Sequence, residues 1–198
     1  MDRETSLRQM LRQAWRTNNR VTTFLVEHLP PELWPLTVPS NPRRTVRGIL
    51  SHIHNDRCMW IRMIGRRNGI KAPGNVDRHR VTPKELTRAL ERSSAGILRI
   101  FDRGLDNGGF LPRVAWGCFP PEVLHFFAIL VAHEAHHRGQ IVMLARQSGH
   151  RLPATVTVGL WQWTKRCKEI QRARDDAERE NAPEAVRPRQ ARRRGPRR

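Results

Sequence analysis

Cysteine is scarce in this 198-residue chain, which excludes a fold held together by disulfides. The three cysteines, Cys58, Cys118 and Cys167, form no C-x-x-C pair and are an odd number, whereas small secreted domains carry an even, patterned set. They fit a reducing compartment. The N-terminus, MDRETSLRQM, opens with charged residues and has no apolar signal region, so we expect a cytoplasmic protein.

Long hydrophobic runs are also missing. The longest covers residues 126–132, far short of the roughly 20 apolar residues that a membrane-spanning helix needs. Hydrophobic residues make up 38% of the chain, and polar residues interrupt them at helical spacing, as in soluble globular domains. We therefore expect no membrane contact, and one domain of ordinary size with an extension.

Acidic residues are few: 18 Asp and Glu face 37 Lys and Arg, a net charge of +19. Residues 182–198 hold seven arginines and one glutamate, and such a Pro/Arg-rich segment buries too little apolar surface to offset its ordering entropy. We predict a folded domain over residues 1–165 and a charged, largely disordered extension over residues 166–198. The Arg-rich tail could contact nucleic acid non-specifically; a simply solvated tail is the alternative, since no aromatic residue is interleaved for base stacking.

Apolar residues recur at helical spacing in several segments, and little of the chain resembles a strand. Thr82 and Pro83 predict a helix start, because Thr82 can cap the helix and Glu85 follows three residues later. The pattern predicts an all-α helical bundle, with helices over residues 5–26, 46–64, 83–104, 121–147 and 156–177.

The motif HEAHHRGQ, residues 133–140, places histidines inside an apolar helix. His133 and His137 lie one turn apart and about 40° apart around the helix, so both can reach one metal ion. A single histidine in such a helix is usually a core residue; two at this spacing favour a ligand pair. Gln140 shares their face, and His136 on the other flank is either a third histidine of that face or a supporting group.

The second predicted helix offers a ligand to complete the pair. His52 and His54 lie about 200° apart on a helix, so they cannot both face one site. His52 shares its side with Asp56 and Trp60 and is our choice; His54 is the alternative, although an exposed imidazole is the simpler interpretation of that residue. Asp56, His136 and Gln140 are candidates for groups that orient the ligand imidazoles.

These motifs together resemble the DinB-like superfamily. The resemblance rests on Leu50-x-His52 with Trp60 eight residues later, HEAHHRGQ, the LxRQxG of residues 144–149 and the GLWQW of residues 159–163. It covers about residues 5–165. It implies an up-down four-helix bundle with an additional C-terminal helix, a divalent metal held by His52, His133 and His137, and a homodimer.

Three neutral imidazoles leave a metal ion its charge and an open position, as in catalytic zinc sites. We expect zinc or nickel, with iron and manganese as alternatives, because imidazole suits all four. Several DinB-like relatives resemble low-molecular-weight thiol transferases or isomerases, so we expect such a reaction or a hydrolysis, with a small thiol or an anionic small molecule as substrate.

Two other functions compete with this one. Residues 133–137 match the H-E-x-x-H pattern of zinc metalloproteases, in which Glu134 would be the general base. The extended form of that pattern fails, because Gln140 stands where a glycine is required and Met143 where a third histidine is. The second alternative is a non-catalytic basic protein that binds nucleic acid, which only the charge supports.

Overall fold

Six helices make up most of the protein. The computed structural model describes residues 3–112 and 119–180. The helices are α1 (Arg3–His28), α2 (Val46–Trp60), α3 (Pro83–Asp106), α4 (Val123–Gln147), α5 (Ala154–Thr157) and α6 (Trp163–Glu180). A short antiparallel hairpin, β1 (Thr37–Val38) and β2 (Asn41–Thr45), precedes α2. No helix among the described residues is long and apolar enough to cross a membrane.

The helix boundaries follow local sequence signals. The Thr45 side chain accepts the backbone N–H of Gly48 at the start of α2. The predicted start of α3 is confirmed, since Thr82 and Glu85 form a reciprocal capping box that satisfies two otherwise unpaired backbone donors. The single helix predicted over residues 156–177 is wrong: α5 and α6 are separated by turns around Gly159, where a Cβ atom would collide with the ring of Phe24.

Helices α1 to α4 form a four-helix bundle, which confirms the predicted all-α class. Helix α1 packs against α3 and α4, and α2 packs against the same two helices from the opposite side. The N-terminal parts of α2 and α3, with Ile49 and Leu86, lie in one apolar cluster of the core, and their C-terminal parts, with Trp60 and Phe101, lie in the other. These two helices therefore run in the same direction, whereas the expected up-down order would make them antiparallel, and residues 61–82 form the long connection that returns the chain.

Helix α6 is the predicted additional C-terminal helix, and it packs along the outside of α1. Its inward residue Arg166 is 2% exposed and lies over the ring of Phe24, 3.9 Å from the centroid. The domain boundary that we predicted at residue 165 falls inside this helix. Of residues 166–198, for which we predicted a largely disordered extension, residues 166–180 belong to this helix. Residues 181–198 lie outside the described residues, so their disorder stays a prediction.

The core consists of two apolar clusters at the two ends of the bundle. One includes Leu25, Ile49, Leu50 and Ile141, and the other includes large aromatic side chains. Between the clusters lies a layer of polar side chains that are almost completely buried. The polar layer consists of Asn18, Asn19, Thr22, Arg57, Glu134 and Arg138.

An ion pair between Arg57 and Glu134 is the centre of the polar layer. Both side chains are 1% exposed, and Arg57 donates Nε and Nη2 to the two Glu134 oxygens at 2.7 and 2.8 Å. Asn18 and Thr22 donate to the same carboxylate at 2.9 and 3.0 Å. The positive charge of Arg57 and these hydrogen bonds outweigh burial and hold the pKa of Glu134 below its ordinary value, so the carboxylate is ionised at neutral pH.

Removing one member of this pair should destabilise the fold strongly. We expect Glu134→Ala to lower the free energy of unfolding by about 3–5 kcal/mol, because it leaves a buried guanidinium unpaired. Urea unfolding followed by circular dichroism measures the change. The control is Glu27→Ala, which removes the exposed partner of Arg20 and should cost less than about 1 kcal/mol; equal losses for the two variants would contradict a central role for the Arg57–Glu134 pair.

Candidate metal centre

Three histidines converge at the seam between α2 and α4. His52 Nε2 lies 3.2 Å from His133 Nε2, which in turn lies 3.0 Å from His137 Nε2. The three ligand atoms all lie within 4.8 Å of one another, and the group could hold a metal ion. Exposure decreases from His52, which is exposed, to His137, which is 4% exposed, so the cluster opens to solvent on the His52 side.

Gln140 fixes the tautomer of His137. The Gln140 Oε1 atom lies 2.9 Å from His137 Nδ1 and also accepts from Arg44 Nη2 at 3.0 Å. Because an amide oxygen only accepts hydrogen bonds, Nδ1 of His137 must carry the proton, and Nε2 keeps the lone pair that a metal requires. The amide nitrogen of Gln140 donates to His136 Nε2 at 2.8 Å. His136 therefore lies outside the cluster, as a neighbour of Gln140.

Asp56 lies beside Nδ1 of His133, as Gln140 lies beside Nδ1 of His137. The Asp56 Oδ2 atom lies 3.5 Å from His133 Nδ1 and accepts Trp60 Nε1 at 3.1 Å. A carboxylate at this position favours the proton on Nδ1 and directs Nε2 of His133 toward the other two imidazoles. Two of the predicted supporting groups therefore lie beside different ligand candidates: Asp56 on α2 is next to His133, and Gln140 on α4 is next to His137.

The electrostatic setting keeps the three imidazoles neutral. Burial lowers the pKa of His52 and of His133, and the nearby histidines contribute to the effect. Burial lowers the pKa of His137 further, to about 4, and proximity to His133 and His52 adds to this. Neutral imidazole is the form that binds a metal ion, so the site needs no proton release at neutral pH.

The donor set fits a divalent ion. With metal–nitrogen bonds of about 2.0–2.1 Å, nitrogen ligands lie about 2.9 Å apart at a right angle and about 3.4 Å apart at the tetrahedral angle. Two of the three separations, 3.0 and 3.2 Å, fall in this range, and all three ligand atoms lie within 4.8 Å of one another. With Nδ1 protonated on His133 and His137, both Nε2 atoms would present lone pairs, and a cation between them would stabilise that arrangement.

His54, the alternative ligand, lies elsewhere. It is 0% exposed, so our interpretation of it as an exposed imidazole is wrong. Its Nε2 lies 3.0 Å from the carbonyl oxygen of Gly74 and its Nδ1 3.1 Å from Ser93 Oγ, which fastens the connection of residues 61–82 to the bundle. Cys58 is also completely buried, and burial raises the pKa of its thiol to about 11.

Two supporting arginines were not identified in the sequence analysis. Arg44 lies on β2 and reaches Gln140 across 96 residues of sequence, and no local pattern indicates that contact. For Arg57 the sequence does carry a signal of burial with a partner, because this residue interrupts an apolar helix just as Glu134 does. Isolated opposite charges on two buried faces favour a pair.

The sequence of the chain matches the model of a known protein family. The model of the DinB family matches residues 1–179, which covers the whole bundle and nearly all of α6. No curated protein and no solved structure matches the chain.

A matched pair of variants separates the ligand from the structural histidine. His52→Gln should abolish high-affinity divalent-metal binding and leave thermal stability of the metal-free protein nearly unchanged, because the side chain is exposed. His54→Gln should retain metal binding and lower the free energy of unfolding by about 1–3 kcal/mol, since a buried hydrogen-bond partner is lost. Isothermal titration with Zn²⁺ and urea unfolding give the two readouts. Loss of metal binding in His54→Gln together with retained binding in His52→Gln would contradict the site.

Proposed function

The chain belongs to the DinB family, and from that premise we propose that it is a metal-dependent enzyme acting on a small thiol or another anionic small molecule. The observation that carries the proposal is the convergence of the Nε2 atoms of His52, His133 and His137. We propose zinc or nickel as the metal, with iron and manganese as alternatives, and the cytoplasm as the location.

The residues divide into those that hold the ion and those that orient them. His52, His133 and His137 would be the ligands, and Asp56 and Gln140 would hold two of the imidazoles with their lone pairs inward. When bound, such an ion supplies Lewis-acid chemistry and favours the deprotonated form of a thiol or of water. Among the described residues, no fourth cysteine, histidine or carboxylate joins the cluster, which supports an open coordination position for substrate.

Thiol transfer, isomerisation or hydrolysis fits this site better than peptide hydrolysis by an H-E-x-x-H enzyme. That mechanism requires the glutamate to act as a base near the metal. The Glu134 carboxylate is 1% exposed, and both of its oxygens are hydrogen-bonded to Arg57. Glu134 is therefore held in a structural ion pair, which does not suit a catalytic base at the metal.

Metal analysis of the full chain, purified without an affinity tag, is the first test. We expect about one divalent ion per chain, lost in His52→Ala and His137→Ala and retained in His136→Ala, since His136 lies outside the cluster. The metal-loaded protein should then accelerate the attack of a small thiol on an electrophile, or hydrolysis of an ester, and the two alanine variants should not. A protein that binds no metal even after reconstitution would refute the proposal.

We also propose that the chain forms a homodimer through α4. This helix is apolar on nearly all sides, and such helices are normally buried all round. Yet Leu124 and Met143 are 53% and 52% exposed, and small residues between them are exposed as well. A cavity of about 470 Å³ adjoins this face, next to Trp161, which is 84% exposed. The exposed face consists of Leu124, Ala128, Ala132, Ala135, Gly139 and Met143.

A second copy of the chain is the partner that we propose for this face. The chain carries a net charge of +19, so two copies repel each other over most of their surface. The α4 face has no charged residue, and its alanines and glycine allow a second helix to approach closely. Both features favour self-association here.

Gly139→Arg tests the dimer. A Cβ atom at Gly139 would meet nothing within 4 Å in the isolated chain, so the arginine should be accommodated without unfolding. We expect a change from dimer to monomer in sedimentation velocity. The control is Gly74→Arg, which adds the same side chain where a Cβ atom is equally unobstructed and should leave the dimer intact. A monomeric wild-type protein would refute the interface.

The predicted contact between residues 182–198 and nucleic acid stays a proposal that rests on their seven arginines. Affinity without sequence preference and with a steep salt dependence is what such a contact would produce.

A further inference from the structure

A groove between α1 and α6 is lined by positive and amide side chains. It has a volume of about 380 Å³, and no acidic residue lines it. The groove lies on α1 and α6, whereas the histidine cluster lies between α2 and α4, so the two regions are separate. Its polar lining consists of Gln9, Arg12, Gln13, Arg16, Gln171 and Arg174.

In the described part of the chain, Arg16 and Arg174 in the groove lack the carboxylate partners that neighbouring arginines of α1 have. Arg8, Arg12 and Arg20 on α1 each pair with a carboxylate. Among the side chains that the structure describes, no carboxylate lies within ion-pair distance of Arg16 or Arg174. The groove therefore combines two guanidinium groups, from two helices, that make no direct ion pair within the described residues.

The groove places Arg16 in an unfavourable position when no anion is bound. Arg16 is half-buried. Burial lowers its pKa, the positive charges of Arg12 and Arg174 lower it further, and the negative charge of Asp102 offsets only part of this effect. Like charges brought together in a partly desolvated site raise the free energy of the protein. An anion between them would reverse the sign of that interaction.

The remaining groups identify the class of anion. Guanidinium groups present planar N–H pairs that match phosphate oxygens in a bidentate manner. Gln13 already donates to Cys167 Sγ at 2.8 Å, and the amides of Gln9 and Gln171 are available beside the two arginines. No aromatic ring lines the groove, so the site offers nothing on which a base could stack.

A second concavity of about 370 Å³ adjoins the groove and shares Arg16, Ile170 and Arg174 with it. Glu91 also lines this second concavity, and its carboxylate would repel an anion there. The groove lined by Gln9 and Gln171 is therefore the part of this surface that favours a phosphoryl group.

We propose that Arg16 and Arg174 form a binding site for the phosphoryl groups of a ligand, in the groove between α1 and α6. The site is independent of the histidine cluster. Two sources of phosphoryl groups share this chemistry, a small free phosphate compound and the backbone of a nucleic acid.

The test uses the full chain with two probes, inorganic pyrophosphate in isothermal titration and a labelled 12-nucleotide single strand in fluorescence anisotropy. Arg16→Gln and Arg174→Gln should each weaken binding about tenfold, the loss expected for a charge-assisted hydrogen bond. The control is Arg172→Gln, which removes the same charge from the same helix outside the groove and should change affinity by less than about twofold.

Stability provides a second readout. Because Arg16→Gln removes a repulsive contact, thermal stability without ligand should stay equal or rise while binding falls, which a misfolded variant could not produce. Arg16→Lys should bind with intermediate affinity, since it keeps the charge and loses the bidentate fork. If pyrophosphate binds and the variants weaken its binding, the site takes small phosphate compounds. If only the oligonucleotide binds in this variant-sensitive way, the site takes a nucleic acid backbone. Absence of binding, or equal losses for Arg172→Gln and Arg174→Gln, would overturn the proposal.

Discussion

The buried ion pair between Arg57 and Glu134 is the contact on which the rest of the structure depends. Taking two charges out of water costs several kcal/mol per ion, and only a complete set of partners offsets this cost. Arg57 finds its partners on three other helices: Glu134 on α4, Asn19 on α1 and the Leu90 carbonyl oxygen on α3. All of them are available in one arrangement of the bundle, so a one-turn shift of any of these helices would remove at least one partner of Arg57.

The same ion pair determines which way His133 and Asp56 face. Glu134 directly follows His133, and Arg57 directly follows Asp56. Neighbouring residues on a helix point about 100° apart, so fixing Glu134 and Arg57 toward the core turns the other two toward the seam of α2 and α4. The histidine cluster is then supported from both sides, by Asp56 on α2 and by Gln140 on α4. This explains how an exposed cluster keeps its lone pairs convergent while only His137 is deeply buried.

The arginines of α1 and α6 differ in how completely their charges are paired with carboxylates. Arg8 and Arg12 of α1 pair with carboxylates on α3, and Arg20 pairs with Glu169, which joins the outer helix α6 to the bundle. Arg166 is less well compensated: its Nη2 pairs with Glu169, but its buried Nε and Nη1 atoms have no hydrogen-bond partner among the described residues. Its attachment depends on the face of Phe24, a cation–π contact that is favourable when the cation is desolvated.

The sequence by itself determined the helical class, the capping of α3, the neighbouring positions of His133 and His137, and the preference for His52 over His54. All of these follow from helix geometry within about one or two turns. Only the tertiary structure decided the rest: the common direction of α2 and α3, the burial of His54 against Gly74, the partner of Arg57, and the contact of Arg44 with Gln140. Those features depend on pairings between distant segments, and periodicity shows which face of a helix is buried without showing what lies against it.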